Sequence, residues 1–114
     1  MTPPRDWQTE VKDQLHFILE QEERSEEDTP PTARTRKAAE QLILKVYSEG
    51  AAKPTDLYTS ARGEIVFVWQ KAGKKLEAWI MPSGNIENFL TGEKKAHTYG
   101  DAELFQALQW FSGK

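Results

Sequence analysis

Between Ile65 and Leu90 three short runs carry a two-residue period, and two glycine-containing turns dictate how those runs must pair. Ile65, Phe67 and Trp69 alternate with Val66 and Val68, and Leu76, Ala78 and Ile80 alternate with Glu77, Trp79 and Met81. A two-residue period built from β-branched and aromatic side chains is the pattern of a strand. Ala72-Gly73 suits a two-residue hairpin turn, which sets Trp69 opposite Leu76, Phe67 opposite Ala78 and Ile65 opposite Ile80. Met81-Pro82-Ser83-Gly84 suits a type I turn closed by a left-handed glycine, which sets Ile80 against Ile86 and Leu76 against Leu90. Strands over 64–70, 75–81 and 85–90 therefore place Ile65, Phe67, Leu76, Ala78, Ile80, Ile86 and Leu90 on one face. A slip of one residue at either turn would reverse that face, so two separately chosen turns agree on a single register.

Helical spacing flanks this sheet. Trp7, Val11, Leu15, Ile18 and Leu19 form a stripe after the entry Thr2-Pro3-Pro4, predicting a first helix over 4–24 with Phe17 off the stripe. Thr29-Pro30-Pro31-Thr32 interrupts it, because proline lacks the amide donor and restricts the residue before it. A second helix follows over 32–49, with Ala39, Leu42, Ile43 and Val46 buried and Gly50 as its stop. Residues 51–62, marked by Pro54, read as a connecting loop. A fourth strand is sketched near Lys95–Tyr99, and Asp101 reads as the N-cap of a last helix bearing Leu104, Phe105, Leu108 and Phe111. The expected fold is α+β: two N-terminal helices, a three- or four-stranded antiparallel meander and a C-terminal helix. One domain spans 1–114, divided into an acidic helical arm (1–28), helix 2 and loop (29–62), sheet (63–99) and last helix (100–114).

Charge is unevenly distributed. Residues 1–28 hold nine acids and three bases, whereas the rest holds nine acids and twelve bases, giving an acidic arm on a mildly basic body. No apolar run reaches the ~20 residues of a membrane span, and Met1-Thr-Pro-Pro-Arg lacks the apolar core of a secretory leader, so the expected setting is the cytoplasm. The absence of cysteine excludes a disulfide scaffold, a thiolate zinc site and a cysteine nucleophile.

The residues that carry chemistry are sparse. His16 and His97 have no second histidine or acid at metal-ligand spacing, so no metal and no cofactor is expected. Glu77 or Glu87 with His97 would make an acid–base pair, although paired charges on a solvated sheet face are common without catalysis. The serines at 25, 48, 60, 83 and 112 fall in linkers, turns and helix ends, outside any nucleophile elbow, and no phosphate loop or dinucleotide fingerprint is present. The residues predict no enzyme.

Gly63-x-Ile65-x-Phe67-x-Trp69, with Pro54 and Tyr58 ahead of it and Leu76-Glu77-Ala78-x-Ile80 and Gly84-x-Ile86 behind, resembles a loose group of small bacterial proteins. That group shares an alanine- and leucine-rich helix, a proline loop, a G-x-I-x-L-x-W strand, an L-E-I-x-I strand and a glycine turn; the resemblance covers about residues 38–90. Val68 stands here where the group often has an acid. The resemblance implies a bacterial mobile-element or defence setting, including toxin–antitoxin-like pairs, and supplies no catalytic residues.

Two surfaces are candidates for binding. The reverse face of the sheet carries Val66, Val68, Trp79 and Phe89 among Glu77 and Glu87, so either a helix covers it or it binds a partner. With the acids Glu22, Glu23, Glu26 and Glu27 of the arm, this strip suits another protein of basic character, while a homo-oligomer is compatible with the same features. The alternative is a nucleic-acid-binding regulator using a lysine rim of Lys71, Lys74, Lys75, Lys94 and Lys95 at one end of the sheet. Arg34, Arg36 and Lys37 sit at the wrong end of helix 2 for its dipole and are expected to pair with the acidic run at 20–28. Weighed together, the features predict a non-catalytic protein-binding module, with the resemblance adding an inhibitor, antitoxin-like or accessory-subunit role.

Overall fold

The computed structural model describes residues 7–20, 30–92 and 95–111. Its elements run α1 (Trp7–Glu20), α2 (Ala33–Ser48), β1 (Asp56–Thr59), β2 (Ile65–Lys71), β3 (Lys74–Ile80), β4 (Ile86–Thr91), β5 (Ala96–Tyr99) and α3 (Gly100–Phe111). The strands form one antiparallel sheet in the order β1-β2-β3-β4-β5, so every strand pairs with its neighbour in sequence.

The register is the one the turns dictate: Phe67 lies opposite Ala78, Trp69 opposite Leu76, and Ile80 opposite both Ile65 and Ile86. Ala72 and Gly73 both take positive φ (44° and 83°), the geometry of a type I′ turn, whose twist matches that of the strands it joins. At the next hairpin Gly84 is left-handed at φ 90° and its N–H reaches the Met81 carbonyl at 2.8 Å.

All three helices pack on the same side of the sheet. Val11 and Leu15 of α1, Ala39, Leu42, Ile43 and Val46 of α2, and Leu104, Ala107, Leu108 and Phe111 of α3 join Leu57, Ile65, Phe67, Trp69, Leu76, Ala78, Ile80, Ile86 and Leu90 in one buried core. Trp69 is fully enclosed there, and its indole N–H donates to the Ala52 carbonyl at 2.8 Å, which satisfies the one polar atom of that side chain. Phe17, off the stripe of α1, is exposed.

Local chemistry sets the ends of α2. The Thr32 hydroxyl accepts from the Thr35 amide at 3.2 Å as an N-cap, and the buried Thr35 hydroxyl donates to the Met81 carbonyl at 3.0 Å. This fastens the start of the helix to the β3–β4 turn. At the other end Gly50 N–H bonds the Tyr47 carbonyl and Ala51 N–H the Val46 carbonyl, a Schellman arrangement around a left-handed glycine.

Two sequence expectations change and a third, the strand near Lys95–Tyr99, is met. Residues 51–62 are not wholly a loop, because Asp56–Thr59 pairs with β2 as an edge strand; four residues containing a single buried one, Leu57, are too few to display a period. The strand sketched near Lys95–Tyr99 is present as Ala96–Tyr99, which makes five strands. Asp101 lies inside the first turn of α3, which begins at Gly100, and there its carboxylate receives the Lys45 ammonium at 2.6 Å. The ends of the first helix predicted at 4–6 and 21–24, and the pairing of the acidic run at 21–28, lie outside the described residues.

Candidate functional site: the open face of the sheet

With every described helix on one side, the opposite face of the sheet is covered by no described element. Strand alternation and the register arrange its side chains in two rows, each five strands wide. One row reads Tyr58, Val66, Trp79, Glu87, Tyr99 from β1 to β5; the next reads Asp56, Val68, Glu77, Phe89, His97.

The rings make a continuous series. Tyr58 meets Trp79 edge-on with centroids 6.4 Å apart, and Trp79 meets Phe89 edge-on at 6.0 Å. Phe89 stacks on His97 at 4.3 Å, and His97 lies tilted against Tyr99 at 4.7 Å. Edge-on and offset contacts are the favourable arrangements for the ring quadrupole. Tyr99 is the most open member, with 63% of its surface exposed.

Carboxylates are set among the rings. Tyr58 donates its hydroxyl to Glu77 Oε2 at 3.2 Å, and His97 Nε2 lies 3.0 Å from Glu87 Oε1. Partial burial of Tyr58, then the charge of Glu77 and its hydrogen bond, with smaller contributions from Asp56 and Glu64, raise the Tyr58 pKa above 10.0. Glu64 itself is buried, held by the Ser60 hydroxyl at 2.8 Å and by Arg62 at 3.3 Å.

The predicted strip divides on inspection. Trp79 and Phe89 are half-buried and present part of their rings to the surface. Val66 and Val68 do not: they are 0% and 6% exposed, because Tyr58 and Trp79 flank Val66 while Asp56 and Glu77 flank Val68 on the neighbouring strands. They support the rings rather than offering contact area. Tyr58, His97 and Tyr99 belong to the same surface and were missing from the expected set; the strands that carry them are short edge strands. Glu22, Glu23, Glu26 and Glu27 lie outside the described residues.

The lysine rim does not assemble as one surface. Lys71 and Lys74 face each other across the hairpin and, by alternation, point to the helix side. There Lys74 donates to the Trp110 carbonyl at 3.0 Å and sits 5.0 Å from the Trp110 ring centroid, while Lys71 lies 5.7 Å from that of Phe111. Both lysines therefore serve the carbonyl end of α3, where a cation complements the helix dipole. Lys75 points to the opposite face, Lys95 is exposed ahead of β5, and Lys94 lies outside the described residues.

Three clefts lined by described residues lie elsewhere, and each is small. One of about 160 Å³ lies between α2 and the start of α3, where Lys45 and Asp101 neutralise each other. Others of about 100 Å³ and 220 Å³ border α3 and β5, and His16 and Arg36. All fall below the ~300 Å³ lower bound typical of small-molecule sites. Among the described residues no cluster of three or more histidines and acids is placed to hold a metal ion, and no helix is long and apolar enough to cross a membrane. Comparison with protein-family models, with curated proteins and with solved structures gave no match to the chain.

Proposed function

We propose that the protein is a non-catalytic binding module that docks another protein on the open face of its sheet. The observation that supports this most is the ring series Tyr58, Trp79, Phe89, His97 and Tyr99, which no described element covers, on a five-stranded scaffold. Aromatic anchors of this kind supply most of the affinity of a protein interface, and they cost little conformational entropy to bury. In line with the resemblance of residues 38–90 to small bacterial proteins of mobile and defence loci, we place the role among inhibitors, antitoxin-like proteins and accessory subunits.

The test uses the purified chain with an affinity tag in its native host. The wild type should retain a partner at high salt, since the anchors are apolar. Trp79→Ala and Tyr99→Ala should both release it. Tyr99 is largely exposed, so its loss leaves the fold intact and separates a binding defect from an unfolding one. A partner held equally by both variants contradicts the reading.

A further inference from the structure

The open face bears three carboxylates, Asp56, Glu77 and Glu87, within the two rows that also hold the rings. Its lysine, Lys75, lies one row further along β3, between Gln70 and Thr91. Glu87 has His97 beside it, and the only side-chain donor that Glu77 has among the described residues is the neutral Tyr58 hydroxyl. Among the described residues neither Glu77 nor Asp56 forms an ion pair.

This balance constrains any occupant. Covering the rings also covers Glu77, which is half-buried already, and an ionised carboxylate removed from water without a cation is strongly unfavourable. A purely apolar partner would strand that charge. A second copy docked face to face would bring two sets of Asp56, Glu77 and Glu87 into one interface without supplying an arginine. A nucleic acid would bring phosphates to the carboxylates. A segment rich in cations satisfies the acids and the rings together.

We propose that the occupant is a basic, arginine-bearing segment of another protein, with a guanidinium seated at Glu77 against the rings of Tyr58 and Trp79. This rests on the reading of the open face as a docking surface and names the chemistry of what docks there. Arginine fits better than lysine for two reasons: its planar group lies flat on an aromatic face, and it meets a carboxylate through two parallel N–H donors. Tyr58 holds Glu77 in place from the edge strand β1, across β2, so the acceptor is already positioned before the cation arrives.

The experiment titrates a synthetic Arg-Gly-Ser repeat peptide into the full isotope-labelled chain at low salt, reading the Trp79 indole N–H and the β3 amides by NMR. Matched Lys-Gly-Ser and Glu-Gly-Ser peptides serve as comparisons. The arginine peptide should shift the Trp79 and β3 signals. Glu77→Gln, which keeps the shape of the side chain, should weaken binding about tenfold, as expected for loss of a charge-assisted hydrogen bond. The lysine peptide should bind about threefold more weakly, from the poorer stacking of an ammonium, and the glutamate peptide should not bind. Equal affinity for Glu77→Gln and wild type overturns the proposal, as do shifts confined to the helices or to residues 20–28. Should that happen while Trp79→Ala and Tyr99→Ala still release the native partner, docking on the open face stands and only the guanidinium assignment falls.

Discussion

Tyr58 on β1 donates its hydroxyl to Glu77 on β3 at 3.2 Å, bridging the strand that lies between them. That bond passes over Val66 and Val68 on the open face, and partial burial of Tyr58, then the charge of Glu77, disfavours the phenolate. The Tyr58 phenol should therefore ionise above pH 10.0, the ordinary tyrosine value. A difference titration of phenolate absorbance between wild type and Tyr58→Phe should show this directly, and Glu77→Gln should move the transition back down. The folded chain holds this proton more tightly than the unfolded one, so the associated stability is fully present below pH 10 and is lost as the pH rises through the folded value. An unchanged transition in Glu77→Gln would show that the contact is not maintained in solution.

Anchors and peripheral charge should separate in kinetics. Trp79→Ala should cost at least ~2 kcal/mol of partner affinity, most of it as faster dissociation. Replacing Glu22, Glu23, Glu26 and Glu27 by Gln should slow association of a basic partner with little effect on dissociation, because distant charges steer encounter. Stopped-flow or surface-resonance traces of the purified pair measure both rates.

The lysines at the β2–β3 hairpin should differ in kind. Lys74→Ala removes the cation at the end of α3 and its contact with the Trp110 ring, and should lower stability by ~1 kcal/mol in chemical denaturation. Lys75→Ala, on the opposite face, should leave stability within about 0.5 kcal/mol of the wild type. Neither DNA nor RNA should bind measurably at physiological salt, and a micromolar, salt-sensitive complex would restore the lysine rim as a nucleic-acid site.

Gly92 lies at φ 141°, and a Cβ there would stand 2.7 Å from the Gly73 carbonyl oxygen of the neighbouring hairpin. Gly92→Ala should lower the melting temperature by several degrees, about 1–2 kcal/mol of strain and displacement. A stability equal to wild type would mean that the two turns do not approach each other this closely.

The central hairpins were legible because each turn carried its own geometry and the two agreed: Ala72-Gly73 and Met81–Gly84 fixed the pairing of Phe67 with Ala78 and of Leu76 with Leu90. The outer strands were less legible. β1 and β5 have four residues each, and Asp56-Leu57-Tyr58-Thr59 spends its alternation on one buried side chain. Tyr58 and Tyr99 stand outside the expected strip, and His97, expected beside Glu77 or Glu87 and found 3.0 Å from Glu87, was not counted in it, although Trp79 and Phe89 in the longer strands were. The lysine rim failed for a different reason. Nearness at one end of a sheet does not place residues on one face, and strand alternation sends Lys74 and Lys75 to opposite sides. Burial of Val66 and Val68 was hidden because it comes from the side chains of flanking strands, one of which was unrecognised.

Photo-crosslinking from the open face tests the central claim most directly. Tyr99 on the sheet, and the exposed Phe17 and Leu44 on the helices, would each be replaced in turn by p-benzoylphenylalanine in the native host. Irradiation should join position 99 to one protein partner in high yield and positions 17 and 44 to none. Adducts from 17 or 44 with none from 99 would place the interface on the helices and contradict docking on the open sheet.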